Sequence, residues 1–551
     1  GTGRLEATFA VTPGQAVRLA SLALADGPRW DLPQGEPLFR LDTTPAITNP
    51  VAHEGRAWVE DGAVHLAVEL AADDGSTVTL RVEGHEGQTI LRHWMEIAPA
   101  SALTIDTVKP LCLAVPQTDV TTLHTVSGVQ RQGGWRPDEG PYRSFRLEHE
   151  ALGLPIHRRS GPRSTWDETP WLALTGERDG GILMAFEYGG QWSLSVAPEA
   201  ASSSTVAAFS PEGIVPRVAA GERWASPAVW VGAFAGDLDR AAAAMHRYLR
   251  EVVLPPTDER FPWVQYNTWF SYYCDLDVET LLAEAELAAE LGVEVFYVDA
   301  GWWVGNPRRR DRFSSGLGNW VENRDKFPDG LKAFADQIRV RGMHFGLWVE
   351  PERVDLRTAT TGRWKPEWLA RVDAGRYVRA DWPSDTETAW LCFGHPETQA
   401  WAVRWIGELV AELGIRWLKW DSNYWGVCTS PDHGHGTGDG ERAQLEGVYA
   451  VMAQLRERFP DLVIENCAGG GTRMDFALAR QTAVAWLNDA SQPAHRSRFH
   501  NAGASYLFPP TMLNAWITES EHENVNGQDL PDPVWRAVIR SRMLGAIGFS
   551  C

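Results

Sequence analysis

From Phe261 onward the sequence repeats one unit: a short apolar run, a polar loop and a stretch with helical spacing. The runs are WVQYNTW (263–269), VEVFYVDAG (293–301), MHFGLWVE (343–350) and IRWLKWD (415–421), then LVIENCA (462–468), TAVAWLND (482–489), TMLNAWIT (511–518) and LGAIGFS (544–550). Between them VETLLAEAELAAELG, GLKAFADQIRVRG, ETQAWAVRWIGELVAELG and RAQLEGVYAVMAQLRERF read as amphipathic helices with Gly or Pro stops. Strands alternating with helices pair in parallel through crossovers, and eight such units predict a (β/α)8 barrel over 261–551.

Residues 1–240 follow a different grammar. HLAVELA, STVTLRVEG and GGILMAFEYGGQWSLSVA alternate apolar with polar residues between Gly, Asp and Pro, which predicts an antiparallel β-sandwich. The first helical pattern is DLDRAAAAMHRYLR (237–250), and the Pro pair at 255–256 follows it, so 241–260 reads as a helix and linker. The expected fold class is therefore an N-terminal β-sandwich followed by a TIM barrel.

The composition excludes more than it asserts. A formal charge of -21 on 551 residues argues against a nucleic acid partner, since binding phosphates needs clustered Lys and Arg. No run of eighteen apolar residues is present, so no transmembrane helix and no membrane partner is expected. Six scattered cysteines without a CxxC pair suggest reduced thiols in the cytoplasm. The 27 tryptophans raise the prior for sugar stacking, although most of them should be core. The opening GTGRLEATFA and closing GAIGFSC suggest trimmed ends, with a C-terminal β-domain missing.

In a TIM barrel the chemistry gathers at the C-terminal ends of the strands. Here successive strands end in Asp299, Glu350, Asp421, Cys467 and Asp489. Retaining cleavage of a glycosidic bond needs a carboxylate nucleophile and a carboxylic acid about 5–5.5 Å apart. Asp421 and Asp489 can face one another across such a rim. Lys419, two residues before Asp421 on the same strand face, is expected to hold it ionised, and Trp486 to keep Asp489 protonated by apolar surroundings. The carboxylates alone leave an inverting enzyme open.

The same residues resemble glycoside hydrolase family 36, the bacterial α-galactosidases and their relatives. NTW and the following YY, DAGW at 299–302, FGLWVEPE at 345–352, LKWDSN at 418–423, ENCAGGGTRMD at 465–475 and WLND at 486–489 are similar to that family's motifs, in its order. The segment PWLALTGERDGGILMAFEYGGQW resembles its β-supersandwich domain. The resemblance implies Asp421 as nucleophile and Asp489 as acid/base. It implies Asp299, Trp302, Trp269, Trp348, Lys419, Asn423, Cys467, Gly470 and Trp486 as sugar contacts, Cys467 beside the 2-hydroxyl.

It also implies an oligosaccharide or glycoside substrate, no cofactor or metal, and packing of the sandwich against a second subunit. Three departures touch recognition: Ala300 replaces the second Asp of D-D-G-W, SDTETAWLCF (384–393) replaces a G-R-x-Q-x-x-L-D segment, and NDASQ replaces S-D-N-T-D. Galactose is the family's sugar; a glucoside, an arabinopyranoside or another sugar altered at C4 or C6 is the alternative. A raffinose-synthase-like transglycosidase and a sugar-binding protein without catalysis remain open.

Three further features attract attention. PDHGHGTGDGE (431–441) gathers His and acids, but its spacing matches no zinc motif and it reads as a mobile loop at the site. RRRDR (308–312) reads as a solvated loop that could alternatively favour an acidic glycan. The GGG at 469–471 is not a phosphate loop, because no GxxxxGK[ST] accompanies it.

Overall fold

A computed structural model describes the chain except residues 13, 34–35, 130–143, 200–202, 310–311, 358–362, 373–375, 378–386, 424, 490–493, 519–530 and 551. Parts of SDTETAWLCF, NDASQ and RRRDR, and Cys551, lie outside the described residues.

All eight barrel strands form: Gln265–Asn267, Val295–Val298, His344–Val349, Ile415–Trp420, Val463–Asn466, Val484–Ala485, Asn514–Thr518 and Ala546–Ser550. They pair in parallel in the order sixth, fifth, fourth, third, second, first, eighth, seventh. A parallel bridge between Ala485 and Leu513 joins the two ends and closes the barrel.

The helices begin and end where their caps dictate. The side chain of Asp277 accepts from the amides of Glu279 and Thr280 at the head of Val278–Glu290. His395 caps Pro396–Leu413, whose stop is Gly414 at a left-handed φ of 61°.

Register levels the rim. Val349 pairs with Trp420, Trp420 with Asn466, and Asn466 with Ala485. The residues that follow, Glu350, Asp421, Cys467 and Trp486, therefore leave their strands at one height. The sixth strand is shorter than the 482–489 expected. The loop after strand five folds back on itself, bridging Ala468 to Gly471, and the amide of Gly471 donates to the carbonyl of Leu487. The amide of Trp486 still donates to the carbonyl of Asn466, and beyond it the Leu487 carbonyl is taken by that loop in place of a neighbouring strand.

The N-terminal half carries a ten-stranded antiparallel sheet and a four-stranded one, with two three-stranded sheets beside them. One apolar core joins these sheets. Helix Leu238–Tyr248 runs on into a single π turn, Leu249–Val253. Its buried face meets Trp171 and Trp230 of the large sheet and Phe476 and Phe508 of the barrel half in a second core. The stretch expected as helix and linker thus begins in a wedge between the two halves. Nearby Glu187 accepts from Arg92, Arg480 and Trp230. Burial alone would raise its pKa, but the two guanidinium groups outweigh it and hold the carboxyl down to about 2. The largest fully buried side chains are all tryptophans, so most of this residue type is structural here. No helix among the described residues is long and apolar enough to cross a membrane.

One segment by which the sandwich reaches the rim is 163–165. The hydroxyl of buried Thr165 donates to the carbonyl of Gly471 (2.6 Å) and accepts from the amide of Met474 (2.9 Å), while Ser164 donates to Asp475 (3.0 Å). Thr165→Val keeps the shape and leaves two buried backbone groups unpaired, so it should cost about 1–3 kcal/mol. Thermal unfolding should show a lower midpoint; an unchanged midpoint would mean the halves do not depend on this segment.

Candidate active site

The rim is organised by Lys419. Its ammonium donates to Asp299 at 2.8 Å and lies 3.5 Å from the centre of the Trp486 ring, with both charged groups almost wholly buried. Burial works against the charge on Lys419, but the anionic surroundings, Asp299 foremost, outweigh it and raise its pKa above the ordinary lysine value. Asp299 also accepts from the side chain of Asn267 (2.6 Å) and from the amide of Ala300 (2.8 Å). Below it the barrel interior continues as a polar chain. Gln265 donates to Asn514, and Asn514 and Trp417 donate to Glu465. Burial first, against the opposing charge of Lys419, pushes the Glu465 carboxyl up to about 7.

Asp421 is held by four donors. One oxygen accepts from Trp348 Nε1 (3.2 Å) and Asn423 Nδ2 (2.8 Å), the other from the amides of Ser422 (2.7 Å) and Gly469 (3.3 Å). Lys419 lies on the same strand face and its charge interacts with that of Asp421, as expected, but its hydrogen bond goes to Asp299. The carboxylate rests instead on neutral dipoles.

Asp489 differs in every respect. It is half-buried by accessible surface, yet ringed by protein, and accepts from Trp486 Nε1 at 2.8 Å. Burial, reinforced by the charge of Asp421, lifts its pKa to about 6. Trp486 was expected to do the lifting; its N–H instead favours the charged form, and the lift arises from burial and the neighbouring carboxylate.

The remaining expected residues divide. Cys467 is buried close to Asp421, Lys419 and Asp489, and burial, with the negative charge of Asp421 next, raises its pKa, so it is an inert thiol. Gly470 has φ 80°, and a Cβ there would stand 3.1 Å from Cα of Asn488 and 3.3 Å from N of Asp489. Glycine therefore lets the strand-five loop lie against the segment carrying Asp489. Trp269 is half-buried beside Tyr273 and Phe313. Trp302 departs from expectation. It is fully buried among Trp303 and Trp320, and its indole N–H donates to the carbonyl of Trp348 (2.9 Å). It braces Trp348, and neither indole, nor that of Trp486, has an exposed face for a sugar.

Several neighbours were given no role by the sequence reading. Glu350 is fully buried and paired with Arg353 (2.8 Å), and it accepts from the amide (2.7 Å) and side chain (3.3 Å) of Asn423. Glu352 accepts from Trp420 (3.1 Å) and pairs with Arg473 (3.0 Å). Arg163 of the sandwich is buried and donates to the carbonyl and hydroxyl of Ser422, directly after Asp421. Glu350 was marked by its place at a strand end but its pairing was not; Arg163, 259 positions from its partner, left no local signal.

Removing one member of a buried ion pair leaves the other uncompensated, at about 3–5 kcal/mol. Lys419→Met should therefore lower stability in denaturant unfolding, and adding Asp299→Asn should recover part of the loss. Equal stability of Lys419→Met and the parent would show that the pair does not hold the rim.

Comparison with known proteins agrees with this geometry. The Melibiase family profile matches residues 224–550. An α-galactosidase from Escherichia coli is 31% identical over 288 residues, covering 51% of this chain and 38% of the relative. A probable α-galactosidase G from Emericella nidulans is 30% identical over 308 residues, covering 54% and 40%. The matched stretch thus spans about two fifths of these relatives' length. Among solved structures, the galactosidase domain of an α-galactosidase–sucrose kinase superposes with a TM-score of 0.84 at 19% identity, covering all of this chain and 81% of that one. The GH36 α-galactosidase AgaA from Geobacillus stearothermophilus gives 0.84 at 20%, covering all of this chain and 82% of that one.

Proposed function

The chain belongs to the melibiase family, glycoside hydrolase family 36, and from that premise we propose that it is a retaining, exo-acting α-glycosidase of the α-galactosidase type. The observation that carries the reading is the contrast between two carboxyl groups at one rim. Asp421 is oriented by four donors; Asp489 has its pKa raised to about 6 by burial and by the charge of Asp421.

In the first step Asp421 attacks the anomeric carbon, and Asp489 gives its proton to the departing glycosidic oxygen. The product is a glycosyl ester on Asp421. Esterification removes the negative charge of Asp421, and with it one of the causes that raise Asp489. The pKa of Asp489 then falls, which suits it to take a proton from the water that opens the ester. Trp269, Asn423, Lys419, Asp299, Cys467 and Gly470 form the sugar pocket in this reading, and the buried Trp302, Trp348 and Trp486 support it from behind.

A related α-galactosidase, AgaA from Geobacillus stearothermophilus, has been solved in complex with raffinose and with stachyose, which supports an oligosaccharide substrate here. One observation favours a sugar other than galactose. Ala300 offers no acceptor, and the oxygens of Asp299 already bind Lys419, Asn267 and the Ala300 amide. A site built to bond a hydroxyl rejects the analogue lacking it by about ten-thousandfold, and Ala300 removes that means of preferring galactose. The described cysteines are buried and no disulfide joins any of the described residues, which supports a reducing, cytoplasmic setting. Assembly of the sandwich onto a second copy is part of the same proposal.

A panel of aryl α-glycosides (galactoside, glucoside, N-acetylgalactosaminide and the pentopyranoside lacking C6) should yield turnover of at least one member. Asp421→Ala should reduce it by about a thousandfold or more. Turnover only when a sugar acceptor is supplied would indicate transglycosylation, and no turnover at all would leave a sugar-binding protein.

The pH profile supplies a second test. The acid form of Asp489 is full below its pKa and is lost as pH rises through about 6. The alkaline limb of kcat/KM should therefore fall near that pH. A flat profile to pH 8 would remove Asp489 from the acid role.

A further inference from the structure

Outside the sugar site, two loops of the barrel bring four metal-binding side chains together. Cys392 stands between the third strand and helix Pro396–Leu413. Cys428, His433 and His435 stand between the fourth strand and helix Gly440–Arg458. One ligand atom from each of the four lies within 4.8 Å of all the others. Cys392 Sγ is 3.3 Å from His435 Nε2, and Cys428 Sγ is 3.3 Å from His433 Nδ1. A tetrahedron with Zn–S of about 2.3 Å and Zn–N of about 2.0–2.1 Å has edges of roughly 3.3–3.8 Å, so both measured edges fit it.

The surroundings are those of a ligand set. His435 Nδ1 is 2.8 Å from the carbonyl of Gly436, which fixes the tautomer that leaves Nε2 free for a metal. The amide of Arg371 donates to Cys428 Sγ at 3.4 Å, as backbone amides do toward metal-bound thiolates. Both cysteines and His433 are buried, and the cysteines pack with Ala370 and Trp390, so the set is closed to solvent on the sulfur side.

We propose that Cys392, Cys428, His433 and His435 bind one structural zinc ion. Two thiolates and two imidazoles in a closed tetrahedron select zinc and leave no open position for a reacting water. The ion clips together the loops that follow barrel strands three and four. The second of these begins at Asp421 and carries Asn423, so the clip fixes the segment on which the nucleophile stands. The loop 431–441, expected to be mobile and free of metal, becomes a fastened one. Its two histidines match no zinc spacing by themselves, because Cys392 arrives from 36 positions before Cys428, across an intervening helix.

The test is metal analysis of the whole chain purified without chelator. Mass spectrometry of the elements should find about one zinc per chain, and near none in Cys428→Ser or in His433→Ala. Cobalt supplied in place of zinc should give the visible ligand-field bands of a tetrahedral thiolate site. Removing the metal from the wild type should expose two more thiols to a disulfide reagent and lower the unfolding midpoint, and added zinc should reverse both. That series keeps the proposal testable if the variants fail to fold. Wild type that takes up neither zinc nor cobalt, zinc retained in full by both variants, or a Cys392–Cys428 disulfide in the isolated protein would each overturn it.

Discussion

The pair between Lys419 and Asp299 is the constraint around which the rim is built. Two opposite charges sit almost wholly out of water, which is tolerable only because each has further partners. Asp299 takes Asn267 and the Ala300 amide; Lys419 takes the face of Trp486. Through Trp486 the constraint reaches Asp489. Strands one, two, four and six are thereby tied together at the level where the carboxyl groups stand.

With the cation engaged, the two acids are free to differ. Asp421 is oriented by neutral dipoles from strand three, its own loop and the strand-five loop. Asp489 stands among dense protein near that negative charge. An oriented carboxylate beside a carboxyl group whose proton affinity is raised is what nucleophile and acid roles require. The sandwich contributes from behind, with Arg163 on Ser422 and Thr165 on the strand-five loop. The family relation rests on the matched profile over 224–550, and the solved relatives, below 25% identity, speak for the fold.

Much of this was legible in the sequence because periodicity and strand ends are local properties. Apolar runs ending in Asp299, Glu350, Asp421 and Cys467 announced one rim before any coordinates. What stayed hidden depends on long-range pairing. Alternation put Lys419 on the face of Asp421, but only the barrel's closure shows that Asp299 is nearer. Trp302 sits inside a motif yet points into the core, since motif membership carries no direction. Arg163 and the four residues of the proposed zinc clip come from separate stretches, and their spacing along the chain predicts nothing. The sixth strand was drawn too long because the loop that takes the Leu487 carbonyl lies fifteen or so residues upstream.

The central claim is that Asp421 becomes covalently attached to the sugar. It can be tested directly by mixing an Asp489→Ala variant with an activated aryl α-glycoside that the parent turns over, then weighing the intact protein and its peptides. The leaving group needs little acid help, while the water step lacks its base, so the glycosyl ester should accumulate. The account predicts one sugar added per chain, on the peptide containing Asp421. Turnover without any adduct, or a sugar attached to another residue, would contradict it.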